Sequence, residues 1–253
     1  MRRLSIGVLA LVAAASAVRA ADMPARVMPP PVPVWTWSGC YMGFNAGYGW
    51  GRSAVKDANE VSAANVTFAF ADFNFDGKGV LGGGQLGCNW QVGQAVLGFE
   101  TDIQAAEVKG SALFPGAIFN FPRAGFDTAV DAKMTYFGTV RGRLGYSFVP
   151  GAMLYITGGF AYGEIASTLS FPATAGGAFI DYARHLQYGY AAGAGGEVLL
   201  TPRLSVKAEY LYVDLGPATH SFGIAGDSYG FSLGTKVHTA RIGLNFLWPV
   251  LRY

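Results

Sequence analysis

A period of two residues governs the hydrophobic pattern along most of the chain beyond residue 38. The stretch 95–106 separates cleanly, with Leu97, Phe99, Thr101 and Ile103 at odd positions and Glu100, Asp102 and Gln104 at even positions. Because successive side chains of a β-strand point to opposite faces, this pattern predicts a strand with one apolar and one polar face. It predicts eight strands in all, at residues 40–50, 79–90, 95–106, 133–147, 152–164, 186–199, 203–214 and 237–248.

The connections between these strands alternate in length. Tight turns containing Gly or Pro fall at 91–93, 149–151 and 201–202, and long segments fall near 51–78, 105–132, 165–185 and 215–235. The strand lengths match the roughly 9–11 residues that cross a bilayer at a tilt. Short turns at one end and long loops at the other are typical of outer-membrane barrels. The prediction is therefore an all-β fold: an eight-stranded antiparallel up-and-down transmembrane β-barrel with short periplasmic turns and long extracellular loops.

Four acidic and four basic side chains lie on the polar faces of the predicted strands: Glu100, Asp102, Arg141, Arg143, Glu197, Lys207, Glu209 and Arg241. The interior of an eight-stranded barrel is only wide enough for side chains. Charges buried there must be paired, since an isolated buried charge costs several kcal/mol. We therefore expect a lumen ion-pair network, with glycines on the same faces making room for the long side chains and the aromatic faces meeting lipid.

A soluble eight-stranded barrel is the alternative architecture, because it also combines a signal peptide with alternating strands. The charges would then face water, the glycines would have no explanation, and many aromatic rings would crowd a narrow interior. Aromatic residues near the predicted strand ends favour the membrane barrel, where interfacial girdles are expected. These are Trp37, Trp50, Trp90, Tyr146, Tyr212 and Trp248.

The first twenty residues predict a secretory signal peptide, with Arg2 and Arg3 before an apolar stretch and small residues before a cleavage site after Ala20. The Pro-rich segment 21–37 predicts a periplasmic tether, followed by the barrel over 38–253. The whole chain has 18 basic and 16 acidic residues, and the signal peptide removes three arginines, which leaves 15 against 16. This balance lacks the excess of basic residues that is typical of nucleic-acid-binding proteins. No apolar run after the signal is long enough for a transmembrane helix.

The two cysteines, Cys40 and Cys88, lie on the predicted first and second strands, and both share the outward parity near the periplasmic rim. The periplasm is oxidising, so we predict a cross-strand disulfide between them. Two free, lipid-facing thiols are the alternative, because opposed cysteines on neighbouring strands need favourable local geometry.

Six stretches carry a resemblance to a known family: WSGCYMGFNAGYGWG, GVLGGGQLGCNWQ, GTVRGRLGY, LYITGGFAYG, KAEYLYVDLG and TARIGLNF. Together they resemble the small outer-membrane β-barrel, porin-family surface proteins of rhizobia and related alphaproteobacteria. The resemblance implies an outer-membrane location, the character of a surface antigen and a role in envelope integrity. Some members are credited with haem binding, but no motif here assigns a haem residue. The chain departs from the family at its end, where PVLRY follows Trp248, so either Trp248 or Tyr253 is the aromatic signal read by the barrel-assembly machinery.

We therefore expect a structural surface barrel without cofactor or enzymatic activity, surrounded by outer-membrane lipid and lipopolysaccharide. Three alternatives stay open: a small porin-like barrel, a barrel binding haem or an adhesion ligand, and a lipid-modifying enzyme using His238. The Phe-rich loops at 67–75 and 112–122 favour a surface ligand, which the sequence does not identify, or packing above the membrane. The enzyme lacks a convincing Ser partner for His238, and GGGQLG at 82–87 is followed by strand, not by the helix that a dinucleotide site needs.

Overall fold

The structure is a computed structural model that describes residues 35–57, 61–63, 66–68, 73–114, 128–174, 177–224 and 227–249. The predicted signal peptide, 1–20, and most of the predicted tether, 21–37, lie outside these residues and stay predictions. Within the described segments, no helix is long and apolar enough to cross a membrane.

Eight long strands close into a barrel in which every neighbouring pair is antiparallel. The strands along the chain are β1 (Gly39–Asp57), β2 (Val61–Ala63), β3 (Val66–Phe68), β4 (Phe73–Val92), β5 (Ala95–Phe114), β6 (Thr128–Val149), β7 (Ala152–Thr174), β8 (Gly177–Thr201), β9 (Leu204–Ile224) and β10 (Asp227–Pro249). The order around the ring is β1-β10-β9-β8-β7-β6-β5-β4, and β1 pairs with β4 to complete it. A short hairpin of β2 and β3 lies between β1 and β4 along the chain. The predicted fold is confirmed.

Tight turns join the strands at one end of the barrel, which we take as the periplasmic end. Gly93 and Gly151 occupy the first two turns with φ of 62° and 82°, a left-handed conformation that glycine adopts without steric cost. Pro202 and Arg203 form the third turn, between β8 and β9. The start of β1 and the end of β10 also lie at this periplasmic end, where Gly39 lies opposite Pro249.

The strands are much longer than predicted, from 19 residues in β1 to 25 in β8. The segments 165–185 and 215–235, expected as loops, are largely paired strand: Ala166 lies opposite Arg184, and Ser221 lies opposite Gly230. Two causes hid these extensions. Register shifts between Met134 and Tyr136 on β6, and between Leu215 and Ala218 on β9, break the odd–even count there. The polarity of the two faces also reverses towards the extracellular end, as described below.

Candidate functional site

All eight predicted lumen charges lie inside the barrel, each with at most 4% of its surface exposed. The strands alternate as expected, so the apolar residues beside them point outwards: Phe160 is 48% exposed and Tyr210 is 44% exposed. The eight side chains come from five strands, β5, β6, β8, β9 and β10. The charges therefore meet across the interior from different sides of the ring.

Arg141 is the centre of this ion-pair network. Its guanidinium Nη2 lies 2.6 Å from Glu100 Oε1 and 2.8 Å from Asp102 Oδ2, and its Nη1 lies 3.2 Å from Glu209 Oε1. Arg241 contacts the same Asp102, at 3.2 Å, and forms a short ion pair with Glu209. Each carboxylate therefore faces at least one guanidinium, which offsets the cost of burying the charges.

Glu100 extends the network to the remaining charges. Lys207 Nζ lies 2.8 Å from Glu100 Oε2, and Arg143 Nη1 lies 3.6 Å from the same oxygen. Arg143 Nη2 in turn lies 2.7 Å from Glu197 Oε2. All four acids and all four bases thus belong to one connected set whose formal charge is zero.

Two tyrosines inside the barrel contact Arg143. Tyr41 donates a hydrogen bond to Glu100 Oε2 at 2.6 Å and accepts one from Arg143 Nη1 at 2.6 Å. Tyr155 donates to Glu209, and the guanidinium carbon of Arg143 lies 3.9 Å from the centre of its ring, a cation–π contact. A Cβ at Gly87 would lie 2.4 Å from the Tyr41 hydroxyl, and a Cβ at Gly195 would lie 2.5 Å from that of Tyr155. These two glycines therefore make room for the phenols.

A chain of amide side chains links the network to β1 and β4. Asn45 donates to Gln85, Gln85 donates to Asn245, and Asn245 donates to Glu197, with distances of 2.6, 2.6 and 2.7 Å. Since Tyr155 lies on β7, the connected polar groups come from all eight strands of the barrel. Parity places Tyr41, Asn45, Gln85 and Asn245 on the polar faces, but a search for charges alone passes over them.

Apolar clusters lie on both sides of the ion-pair network. The periplasmic cluster consists of Trp37, Tyr41, Val96, Met153, Tyr155, Leu199 and Leu247. The extracellular cluster consists of Val55, Phe75, Leu81, Ala106, Val108, Ala132, Met134, Phe137, Ala161, Ile165, Ala191, Leu211, Val213, Leu215, Leu233 and Val237. A cavity of about 20 Å³ lies against the extracellular cluster, space for about one water molecule.

The outer surface changes character along each strand. Apolar residues cover it from the periplasmic turns upwards, for example Val80, Leu86 and Trp90 on β4. The first outward charge on each strand then marks what we call the outer rim: Arg52, Lys78, Glu107, Lys133, Glu164, Arg184, Asp214 and Lys236. The apolar stretch of β4 below this rim, residues 80–90, has the length that spans a bilayer at a tilt.

Five of the six predicted girdle aromatics face outwards, with Trp50, Trp90, Tyr146 and Trp248 41–59% exposed and Tyr212 half-buried. Trp37 does not belong to the girdle, because it is 1% exposed within the periplasmic cluster. Its backbone N–H donates to Gln91 Oε1, which fixes it at the mouth of the barrel. The expected girdle position was wrong because Trp37, just before β1, continues the inward, odd-numbered alternation of Gly39 and Tyr41.

Cys40 and Cys88 lie directly opposite each other on β1 and β4 and are joined by a disulfide. Both point to the outer face. Their pair is next to the last pair at the periplasmic end of the β1–β4 alignment, Gly39 opposite Asn89. The bridge therefore ties together the first and second long strands of the ring.

Two of the three histidines lie in strands, and the Phe-rich segments are described only in part. His185 and His220 lie in β8 and β9, within the segments 165–185 and 215–235 that the sequence predicts as loops. His238 faces outwards below the rim, where its Nδ1 lies 2.5 Å from the Tyr210 hydroxyl and its ring stacks on Trp50. Of the segments 67–75 and 112–122, residues 69–72 and 115–122 lie outside the described residues, and Phe75 is buried in the extracellular cluster. Tyr253 is also outside them, whereas Trp248 is exposed near the end of β10.

A closed antiparallel barrel with a polar interior and an apolar outer band defines a transmembrane β-barrel protein. The family comparison agrees, because the model of the outer membrane protein beta-barrel domain matches residues 7–246. The chain belongs to this family and is a surface barrel of the Gram-negative outer membrane.

Two relatives indicate the group of outer-membrane proteins to which this chain is similar. The chain is 34% identical over 252 residues to the 31 kDa outer-membrane immunogenic protein of Brucella melitensis biotype 1, covering 94% of this chain and 98% of that one. It is 29% identical over 217 residues to the 22 kDa outer membrane protein of Rhizobium leguminosarum bv. viciae, covering 85% and 80%. These confirm the resemblance to alphaproteobacterial outer-membrane proteins.

Solved structures with a similar strand arrangement include the outer membrane protease OmpT of Escherichia coli and the outer membrane protein OprG of Pseudomonas aeruginosa. OmpT is 12% identical with a TM-score of 0.47, over 86% of this chain and 99% of that chain. OprG is 11% identical with a TM-score of 0.46, over 83% and 96%.

Proposed function

We propose that this chain is a structural surface protein that strengthens the outer membrane and whose lumen conducts no steady ion current. The observation that carries the proposal is the connected set of eight buried charges between two apolar clusters. An ion entering this barrel would have to displace paired charges and then pass an apolar layer, where its desolvation is costly. The interior of an eight-stranded barrel leaves little room for water besides.

Single-channel recording in planar bilayers tests the closed lumen. The purified, folded protein is expected to give no stable conductance. A triple variant, Arg141→Ala with Phe137→Ala and Leu211→Ala, shortens side chains in the network and in the extracellular cluster and is expected to conduct. A control with the same kind of truncation on the lipid face, Leu244→Ala with Phe246→Ala, is expected to stay silent. Steady openings of the unmodified protein would overturn the closed-lumen proposal in favour of a small porin.

The role in envelope integrity is tested in cells. A strain lacking the gene is expected to become more sensitive to detergents and to bulky apolar antibiotics, and the plasmid-borne wild-type gene is expected to restore resistance. Unchanged resistance in the deletion strain would contradict this role. The proposal includes no chemical step, and an assay of phospholipid or lipid A modification with the purified protein is expected to show no turnover.

Surface interactions are a second part of the proposal, supported by apolar side chains beyond the outer rim. Leu113 on β5 and Ile180 on β8 are 73% and 68% exposed there. Exposed apolar surface often marks interaction sites. Shortening the segment 115–127, which follows β5 in the chain, is expected to reduce binding of whole cells to an apolar surface while leaving the barrel folded, and unchanged binding would contradict it.

A further inference from the structure

Three lysines form a row across neighbouring strands at the outer rim. Lys78 on β4 lies directly opposite Lys109 on β5, and Lys109 lies directly opposite Lys133 on β6. All three point outwards, since the residues that point inwards beside them are Gly77, Val108 and Ala132. Directly opposed side chains of like charge destabilise a sheet. A barrel wall therefore carries an unfavourable arrangement at this position.

Acidic neighbours balance the row only in part. Glu107 lies 3.5 Å from Lys109 Nζ and 3.3 Å from Lys133 Nζ, so one carboxylate serves two lysines. The Lys133 ammonium also donates a hydrogen bond to Glu107 Oε1. Lys78 has no ion-pair partner among the described residues, because nearby Asp76 contacts Arg52. Asp131, two residues beyond Lys133 on the same face, makes no ion pair within the described segments, so the three lysines share one ion-paired carboxylate.

Two other rim cations, Arg52 and Lys236, also lie opposite each other, but each contacts its own carboxylate. Arg52 contacts Asp76 at 3.1 Å, and Lys236 contacts Asp214 at 3.5 Å. Arg184 on β8 stands singly and donates to the Tyr182 hydroxyl, so within the described segments a row of three opposed cations is found only on the β4–β6 side of the barrel. This contrast argues against a uniform band of solvated charge and indicates a localised site for an anion.

The height of the row on the barrel identifies the kind of anion. Val80, two residues below Lys78 on the same face, is 62% exposed in the apolar band, and Trp50 lies beside Lys78 on β1. The ammonium groups thus emerge where hydrocarbon ends and headgroups begin. Lysine is a common phosphate ligand in proteins. A soluble polyanion would approach the extracellular tips of the hairpins, far above this boundary.

We infer that Lys78, Lys109 and Lys133 bind the phosphate of a lipid headgroup in the surrounding outer leaflet. The bound phosphate replaces the missing counter-charge and offsets the repulsion between the lysines. Glu107 holds the ammonium groups of Lys109 and Lys133 in place and limits the affinity. The site depends on the outer-membrane location of the barrel and is independent of whether the lumen conducts.

The test uses the full mature protein in nanodiscs of zwitterionic lipid that contain either phosphorylated lipid A or its dephosphorylated counterpart. Native mass spectrometry counts the lipid A molecules retained after the disc is released. Selective retention of the phosphorylated form is expected. Replacing all three lysines by glutamine is expected to weaken this retention roughly a hundredfold, since each cation near an anionic surface contributes about 1 kcal/mol.

A matched control removes three rim cations elsewhere, Arg52→Gln with Arg184→Gln and Lys236→Gln, and is expected to change retention less than about threefold. Glu107→Gln gives a second readout that does not depend on the triple variant folding, because it is expected to strengthen retention. Equal losses in the row variant and the control would overturn the site, and so would weaker retention in Glu107→Gln. Inorganic phosphate that displaces lipid A at equal phosphate concentration would overturn the assignment to a lipid in favour of a free anion.

Discussion

The barrel has two regions in which the same strands carry opposite polarity. Below the outer rim, Arg141 is fully buried inside while Phe44 and Ile242 are 69% and 67% exposed outside. Above the rim, Val55 and Leu233 are buried inside, while Arg52 and Asp76 are largely exposed outside. Because each strand has only two faces, the polarity of the inner face is opposite to the polarity that the surroundings require on the outer face. Hydrocarbon outside forces polar groups inwards, and water outside allows the ordinary apolar core.

The largest expected effect comes from breaking the ion-pair network below the rim. Arg141→Met leaves Glu100, Asp102 and Glu209 with too few partners, so we expect the free energy of unfolding to fall by about 3–5 kcal/mol. Arg52→Met breaks an exposed pair above the rim and is expected to cost about 0–1 kcal/mol. Urea titration followed by heat-modifiable gel mobility measures both variants, and similar losses for the two would contradict the contrast between the regions.

A charge on the outer face sharpens the same comparison along one strand. Leu244→Arg places a cation against hydrocarbon and is expected to destabilise the folded barrel by about 2–4 kcal/mol. Ser232→Arg, on the same face of β10 but above the rim, is expected to cost less than about 1 kcal/mol. The same urea titration, in lipid vesicles, measures the free energy of unfolding of both variants. Equal losses would mean that the rim does not mark the hydrocarbon boundary.

The disulfide acts at the periplasmic end of the lower region. Replacing Cys40 and Cys88 by serine removes a bridge between residues 48 positions apart, and we expect a loss of about 2–3 kcal/mol. Unfolding in reducing and non-reducing buffer gives an independent measure. The reductant is expected to lower the stability of the wild type to that of the double variant and to leave the variant unchanged; a wild type insensitive to reductant would contradict the prediction.

The smallest expected effect separates hydrogen bonding from packing within the network. Tyr41→Phe keeps the ring but removes the hydroxyl between Glu100 and Arg143, so we expect a loss of about 1–2 kcal/mol. Tyr48→Phe, on the lipid face of the same strand, is expected to change stability by less than about 0.5 kcal/mol. If Tyr41→Phe behaves like Tyr48→Phe, the hydroxyl adds nothing to the network.

The sequence allows the lower region to be predicted in detail because the period of two persists there without interruption. Arg141, Glu209 and Arg241 share a parity with glycines, and that parity alone places them inside. The same reasoning fails for the upper region, for two physical reasons. Irregular pairing near Met134 on β6 and near Ala218 on β9 shifts the count by one residue. Beyond the rim the apolar set moves inwards, so a rule that assigns apolar residues to lipid gives the wrong face.

Aromatic residues account for the other differences. Tyr41 and Tyr155 lie inside because Glu100 and Glu209 accept hydrogen bonds from their hydroxyls. Trp37 is buried at the periplasmic mouth, on the same odd-numbered side as Gly39 and Tyr41. Residue type alone assigns all three aromatic residues to lipid. Parity recovers the two tyrosines and, when it is continued past the start of β1, Trp37 as well.

Site-directed spin labelling along β4 tests the reversal of polarity most directly. Single cysteines at positions 74–90, in a background lacking Cys40 and Cys88, report accessibility to oxygen dissolved in lipid and to a water-soluble nickel chelate. At even positions we predict that oxygen dominates from 80 to 90 and the nickel chelate dominates from 74 to 78, with odd positions shielded from both. Lipid accessibility at odd positions, or an unbroken lipid signal at even positions through 74, would contradict the account.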